Sequence, residues 1–292
     1  MKHTPPLPAE ASAGGKARKP QKNTFQKIAA VPHSVWTVMF IVAPMLFVLY
    51  FAFTDASGNF SLSNITELSQ YTNVFILSIA FALIATVVCL LIGYPLAYFM
   101  SRQSERAQKV LMVLIMLPMW CNLLIRTYAL MALLDNGGLL NSLIERMGLE
   151  KLTIVGSNFG VILGMIYDFL PYMVLPIFTA MTKLDKRYIE ASHDLGCNAW
   201  QTLTRVVIPL TLSGVVSGVT MVFVPSISTF YVSKAMSNGK VYLIGDLIET
   251  EFLSLLNYNM GSALSLILMI LILVSMFVMD RFGDDEEGSV LV

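Results

Sequence analysis

Six stretches of this chain are each long and apolar enough to cross a lipid bilayer, which settles the fold class before any motif is considered. They cover about 35–53, 74–100, 110–134, 159–181, 206–230 and 260–279, close to the ~20 residues a spanning helix needs. In hydrocarbon every backbone N–H and C=O must be satisfied within its own segment, so these stretches are read as helices. Composition agrees that lipid is the solvent. Only 13% of the residues are charged, whereas soluble domains carry about 25%. The expected fold is an all-α membrane protein with six transmembrane helices. The run after residue 34 is too long for a signal-peptide core, and no convincing cleavage site follows it.

Basic residues set the expected orientation. Lys16, Arg18, Lys19, Lys22 and Lys27 precede the first span, Arg102, Arg106 and Lys109 separate spans two and three, and Lys183, Lys186, Arg187 and Arg205 separate spans four and five. The loop after span one has Asp55 and Glu67 and no Lys or Arg, and the other two alternate loops hold two basic residues each against Asp135, Glu145 and Glu150, or Asp246, Glu249 and Glu251. The positive-inside rule puts both termini and the 183–205 loop in the cytoplasm. Residues 1–34 read as a disordered basic cytoplasmic tail, 35–282 as the membrane domain and 283–292 as an acidic cytoplasmic tail.

The 183–205 loop carries the most specific motif. It holds Glu190-Ala191-Ser192, then Asp194 and Gly196, with Val206, Ile208 and Pro209 at the start of the next apolar run. Asp185 suits an N-cap, and Gly196 allows a sharp turn between two short helices. Ile189, Leu195 and Trp200 give the pair an apolar edge. The spacing resembles the cytoplasmic signature loop of ABC-importer permeases, which reads Glu-Ala-Ala, three residues, Gly, nine residues, Ile, one residue, Leu-Pro. Ser192 replaces the second Ala, and Val206 and Ile208 replace Ile and Leu.

A wider resemblance covers about 35–282. The segments 85–98, 123–128, 183–186, 230–233 and 242–248 are similar to the first permease subunit of spermidine/putrescine ABC importers. The resemblance implies a type I importer permease fold in the cytoplasmic membrane of a bacterium. It also implies a second, similar permease, two ATPase subunits that hold ATP and Mg²⁺, and an extracytoplasmic substrate-binding protein. On this reading Glu190, Ala191, Ser192, Asp194, Gly196 and Pro209 form the ATPase-docking loop. The pathway opens alternately to each side as ATP binding closes the ATPase pair.

The chain itself has no phosphate loop, no nucleophile–base set and no metal spacing among Cys89, Cys121, Cys197, His3, His33 and His193. No catalytic residue, metal, bound cofactor or nucleic-acid partner is expected. A secondary carrier would need acids through the midplane or an inverted repeat; one strong intramembrane acid and no convincing repeat are present.

Two charges lie within the spans, Arg126 and Asp168, both in the outer half. An isolated charge there is expensive, so they form either a structural ion pair or, at Asp168, part of a cation path. Arg126 is expected to be held by Asp168 or by backbone carbonyls, away from the path. Tyr167, Tyr172, Trp120, Ser226 and Thr229 are the other candidate pathway residues. Pro225 is expected to kink span five. Phe230 and Tyr231 beyond it are either an outer gate or part of an interfacial aromatic belt. The acids and aromatic faces suit a polycation. Sulfate, iron or molybdate remain alternatives, because permeases for them share the loop.

Overall fold

The computed structural model describes residues 24–55 and 57–287. The expected basic tail at 1–34 is therefore described only from Thr24, and the acidic end only as far as Glu287; the rest of both lies outside the described residues. Within the described residues, α1 covers Thr24–Thr37, and the last helix runs to Glu287.

The molecule divides into two units at Phe47 and Val48. The first contains α1 and a π-helical turn, Val38–Val42, that leads into α2, Ala43–Ala52. The second starts with the end of α2 and α3, Ser63–Glu67, followed by the long α4, Thr72–Ser101. Then come α5, Glu105–Trp120; α6, Leu123–Leu134; α7, Leu139–Arg146; and α8, Asn158–Lys183. Two short helices follow, α9, Lys186–Asp194, and α10, Ala199–Thr202. A π turn, Leu203–Val207, leads to α11, Ile208–Leu210, and α12, Leu212–Ser228. The chain closes with α13, Tyr231–Ser237; α14, Ile244–Glu249; and α15, Tyr258–Glu287. Among the described residues, five helices are long and apolar enough to cross a membrane, or six if one bent pair makes a single span.

The centre of the second unit is α4 packed with α8 and α12. Phe81, Ala85, Cys89 and Ala97 of α4 meet Met165, Phe169, Met173 and Ile177 of α8. Small residues bring the backbones close, as lipid-embedded packing requires. A Cβ on Gly214 would lie 2.5 Å from the Ala180 Cβ, and one on Gly218 would lie 3.1 Å from the Met173 carbonyl oxygen. A second cluster joins Phe223 and Ile227 of α12 to Met260, Ala263 and Leu264 of α15.

Two expected spans are not continuous. Span three is two helices, α5 and α6, separated at Cys121–Asn122. Asn122 caps the second, its side chain accepting from the Leu124 N–H at 2.9 Å. Span five bends by 68° between Leu210 and Leu212, not at Pro225, through which α12 runs to Ser228. Proline in a helix removes a donor and crowds the carbonyl four residues back. Past Pro225 the helix runs three more residues, its last hydroxyl, on Ser228, donating to the Val224 carbonyl at 3.2 Å. The π turn lies just ahead of Pro209, where an i→i−5 bond from the Ile208 N–H to the Leu203 carbonyl replaces the regular ladder.

Candidate functional site: the 183–205 loop, the Thr211 elbow and the Phe230 joint

The 183–205 loop folds as the expected pair of short helices, and its bonds are local. Asp185 caps α9 by accepting from the Arg187 N–H at 3.0 Å. Asn198 and Gln201 form a reciprocal capping box on α10. Between them Gly196 sits at φ +81, in the left-handed region that a Cβ disfavours. Its N–H donates to the His193 carbonyl, and the Cys197 N–H donates to that of Ser192. Glu190, Ala191, Asp194 and Gly196 are exposed. Tyr188, Leu195 and Trp200 are also exposed, at 54%, 85% and 71%. Ser192, by contrast, turns inward. It is buried, donates to the Ile189 carbonyl at 2.7 Å and shares a 3.0 Å hydrogen bond with the Thr202 hydroxyl. It braces one helix against the other and offers no surface to a partner. Pro209 is exposed in the entry to span five.

The bend at Thr211 joins this loop to the membrane core. Thr211 is fully buried; its hydroxyl donates to the Val207 carbonyl at 2.8 Å and meets the Tyr94 hydroxyl at 3.1 Å. Tyr94 belongs to α4, so the elbow is pinned to the central bundle. Sequence reasoning missed this pair. Tyr94 appeared only inside a run of apolar residues, and Thr211 follows the motif instead of lying in it.

Arg126 and Asp168 form a buried clamp. The Arg126 Nε donates to Asp168 Oδ1 at 2.7 Å, and Nη2 donates to the Asp168 carbonyl at 3.1 Å. Nη1 donates to the carbonyl of Pro118 at 3.0 Å, in the last turn of α5. The Thr127 hydroxyl donates to Asp168 Oδ2 at 2.8 Å. Arg126 is thus held by both Asp168 and backbone carbonyls, as expected, and the clamp binds both halves of the broken span three to α8. Asp168 is 0% exposed with both oxygens engaged, so in this conformation it serves the ion pair and faces no open path.

The other expected pathway residues divide. Trp120 ends α5 and is 73% exposed; Tyr167 is exposed and Tyr172 half-buried. Tyr167 also lies beside the clamp, its ring centroid 5.9 Å from the Arg126 guanidinium carbon. Thr229 is buried, and Ser226 is fully buried with no hydrogen-bond partner for its hydroxyl. Phe230 and Tyr231 stand at the joint between α12 and α13, their ring centroids 3.9 Å apart. The break beside them is this joint rather than a kink at Pro225.

Beyond the joint lies a charged pocket of about 270 Å³ lined by Lys234, Tyr242, Asp246 and Glu249. Lys234 Nζ donates to both Glu249 oxygens, at 2.8 and 3.0 Å. Hydrogen bonding to Glu249 raises the Lys234 pKa. Asp246 is buried; one oxygen accepts from the Leu243 N–H at 2.8 Å and the other has no partner. Burial raises its pKa above the usual carboxylate value. The acids were visible in the sequence as a loop charge, but the pairing of Glu249 with Lys234 was not.

Residues 93–284 match the family described as binding-protein-dependent transport system inner membrane component. The spermidine/putrescine transport system permease protein PotB of Haemophilus influenzae is 38% identical over 270 residues, 89% of this chain and 94% of that protein. PotB of Escherichia coli K12 is 37% identical over 245 residues, 80% of this chain and 89% of that protein. Among solved structures, a chain of a bacterial alginate ABC transporter, crystallised with an alginate pentasaccharide-bound periplasmic protein, superposes with a TM-score of 0.73 at 16% identity, covering 89% of this chain and 94% of its own. That similarity is one of fold. With the family match spanning more than half of its length, the chain belongs to the binding-protein-dependent transport system inner membrane components, as a multi-pass permease subunit of the ABC importer type.

Proposed function

We propose that this chain is the first permease subunit of a polyamine importer, passing spermidine or putrescine into the cytoplasm together with a second, similar permease. An extracytoplasmic binding protein delivers the substrate. Two ATPase subunits hold ATP and Mg²⁺ and drive the cycle; this chain contributes no hydrolytic site and binds no cofactor or metal. Both termini and the 183–205 loop face the cytoplasm.

The observation that carries the reading is the coupling loop, with relatives named for spermidine and putrescine aligned along most of the chain. Glu190, Ala191 and Asp194 dock on an ATPase subunit. Gly196 sets the turn that presents them, and Ser192 braces it from within. The Thr211 elbow carries motion from the loop to α12, at whose outer end Phe230 and Tyr231 gate the path.

The substrate side rests on chemistry. A polycation needs carboxylates and aromatic faces, and each cation–π contact is worth about 0.5–2 kcal/mol. Trp120, Tyr167 and Tyr172 supply rings; Ser226 and Thr229 supply hydroxyls. Asp168 neutralises Arg126, which would otherwise repel the cargo. Uptake of radiolabelled spermidine, putrescine and sulfate by the assembled transporter tests this. Polyamine uptake should appear, with mutual competition between the two; sulfate uptake without polyamine competition would overturn the substrate while leaving the importer fold intact.

A further inference from the structure

Glu249 stands at the boundary of two cavities. One, of about 530 Å³, is largely apolar, and Phe230, Phe252, Leu268 and Ile272 line it with Glu249. The other is the charged pocket of about 270 Å³, where Glu249 is joined by Lys234 and Asp246. The local sequence builds this arrangement. Gly245 lets α14 lie against the joint between α12 and α13: a Cβ there would fall 2.5 Å from the Ser228 carbonyl oxygen. Glu249 follows one turn later on the same face of the helix. Its carboxylate already holds one alkylammonium, because Lys234 Nζ donates to both of its oxygens. The Lys234 side chain is nevertheless 60% exposed, against 19% for Glu249. An ion pair so open to solvent on one side is weak, so a second ammonium can displace the first. A displaced Lys234 has somewhere to go. Asp246 lines the same pocket, is buried, and keeps one oxygen without a partner among the described residues.

We propose that the apolar cavity receives the methylene chain of an aliphatic polyamine, whose terminal ammonium takes Glu249 from Lys234 while Lys234 moves to Asp246. The inference rests on the polyamine reading and adds to it a docking carboxylate and a resident counter-ion. Two carboxylates and one ammonium meet in the chain alone; after the exchange two carboxylates meet two ammonium groups. The chemistry selects cargo over lipid. An acyl chain would use the apolar wall and leave Glu249 unused, whereas an alkylammonium uses both, and the Phe230 and Phe252 rings offer faces to a cation. A metal ion fits poorly, since no group of three or more His, Cys, Asp or Glu among the described residues could hold one.

The test follows the thermal stabilisation that spermidine gives the complete transporter in nanodiscs, without the binding protein and at ionic strength fixed with KCl. Wild type should melt higher as spermidine rises, and KCl alone should not reproduce the shift. Glu249→Gln should raise the half-saturating spermidine concentration about ten-fold, as for a lost hydrogen bond to a charged group. Lys234→Met removes the competing ammonium and should lower that concentration about three-fold. Asp246→Asn keeps an acceptor for the Leu243 N–H but removes the second partner of Lys234, and should raise it about three-fold. A purely structural ion pair gives a different pattern: Lys234→Met and Glu249→Gln would lower the melting point alike and leave half-saturation unchanged. That pattern would overturn the proposal. So would a photo-crosslinking residue in place of Leu253, which lines the apolar cavity, if it joined phospholipid or the second permease and spermidine failed to compete. If wild type carries spermidine while these shifts are absent, only this inference fails. If wild type carries sulfate and no polyamine, the substrate reading fails as well.

Discussion

The coupling loop and the Arg126–Asp168 clamp both hold the chain across a break in helix, but by opposite means. The loop uses short-range bonds between near neighbours: the Asp185 carboxylate caps the Arg187 N–H, Asn198 pairs with Gln201, and Ser192 meets Thr202. The clamp uses a buried charge pair whose partners are 42 residues apart in sequence. Water reaches the loop, so its broken backbone tolerates exchange and movement. No water competes at the clamp, so Arg126 must satisfy a carboxylate and two carbonyls at once. The clamp ties both helices of span three to α8, and the loop leaves Glu190, Asp194, Leu195 and Trp200 exposed, as the proposed docking on an ATPase subunit requires.

The comparison breaks most sharply at the clamp. Removing one partner leaves a buried charge and costs about 3–5 kcal/mol. Arg126→Ala and Asp168→Ala should each reduce folded yield and thermal stability in detergent, while the apolar pair Arg126→Met/Asp168→Leu recovers most of the loss. A double variant no better than either single one would remove the ion pair as the organising contact.

At the loop the effects are smaller and show in function. Gly196→Val forces a β-branched residue into left-handed backbone, worth roughly 1–2 kcal/mol. It should leave the protein inserted but abolish ATPase co-purification. Gly196→Asn should keep it, because asparagine tolerates that conformation; a Cβ at this position meets no atom within 4 Å. Equal behaviour of the two variants would show that φ is not what matters. Ser192→Ala loses the brace to Thr202 and should cost about 1 kcal/mol, visible as weaker ATPase retention with unchanged insertion.

The smallest effect sharpens the comparison at the charged pocket. Because burial raises the Asp246 pKa, the folded state holds its proton more tightly than the unfolded chain. The associated stability is full below the ordinary carboxylate range and is lost as pH rises through the folded pKa. Asp246→Asn should therefore stabilise the protein at pH 7 by about 1 kcal/mol, an advantage that shrinks as the pH falls toward 4. Thermal melts across that range measure it, and an advantage that grows on acidification would reverse the assignment.

These contrasts explain what could be read in the sequence. Span positions follow from local hydropathy, and the loop's caps and turn follow from residues within a few positions of each other. Arg126 and Asp168 were legible as a pair because two charges in lipid need each other. The breaks were less legible. Asn122 as a cap looks like any asparagine within an apolar run, and the Pro225 kink was expected where α12 runs through to Ser228. The bend fell at Thr211 because Tyr94, far away in sequence, holds it. The inward turn of Ser192 likewise depends on Thr202, beyond the motif that singled it out.

The most direct test of the account is ATP-driven uptake of radiolabelled spermidine into proteoliposomes holding this chain, its partner permease and the ATPase subunits, with the binding protein supplied from outside. Wild type and Gly196→Asn should accumulate spermidine only with ATP, and Gly196→Val should accumulate none while remaining folded and inserted. Full spermidine uptake by Gly196→Val would contradict the claim that this loop couples ATP hydrolysis to the pathway.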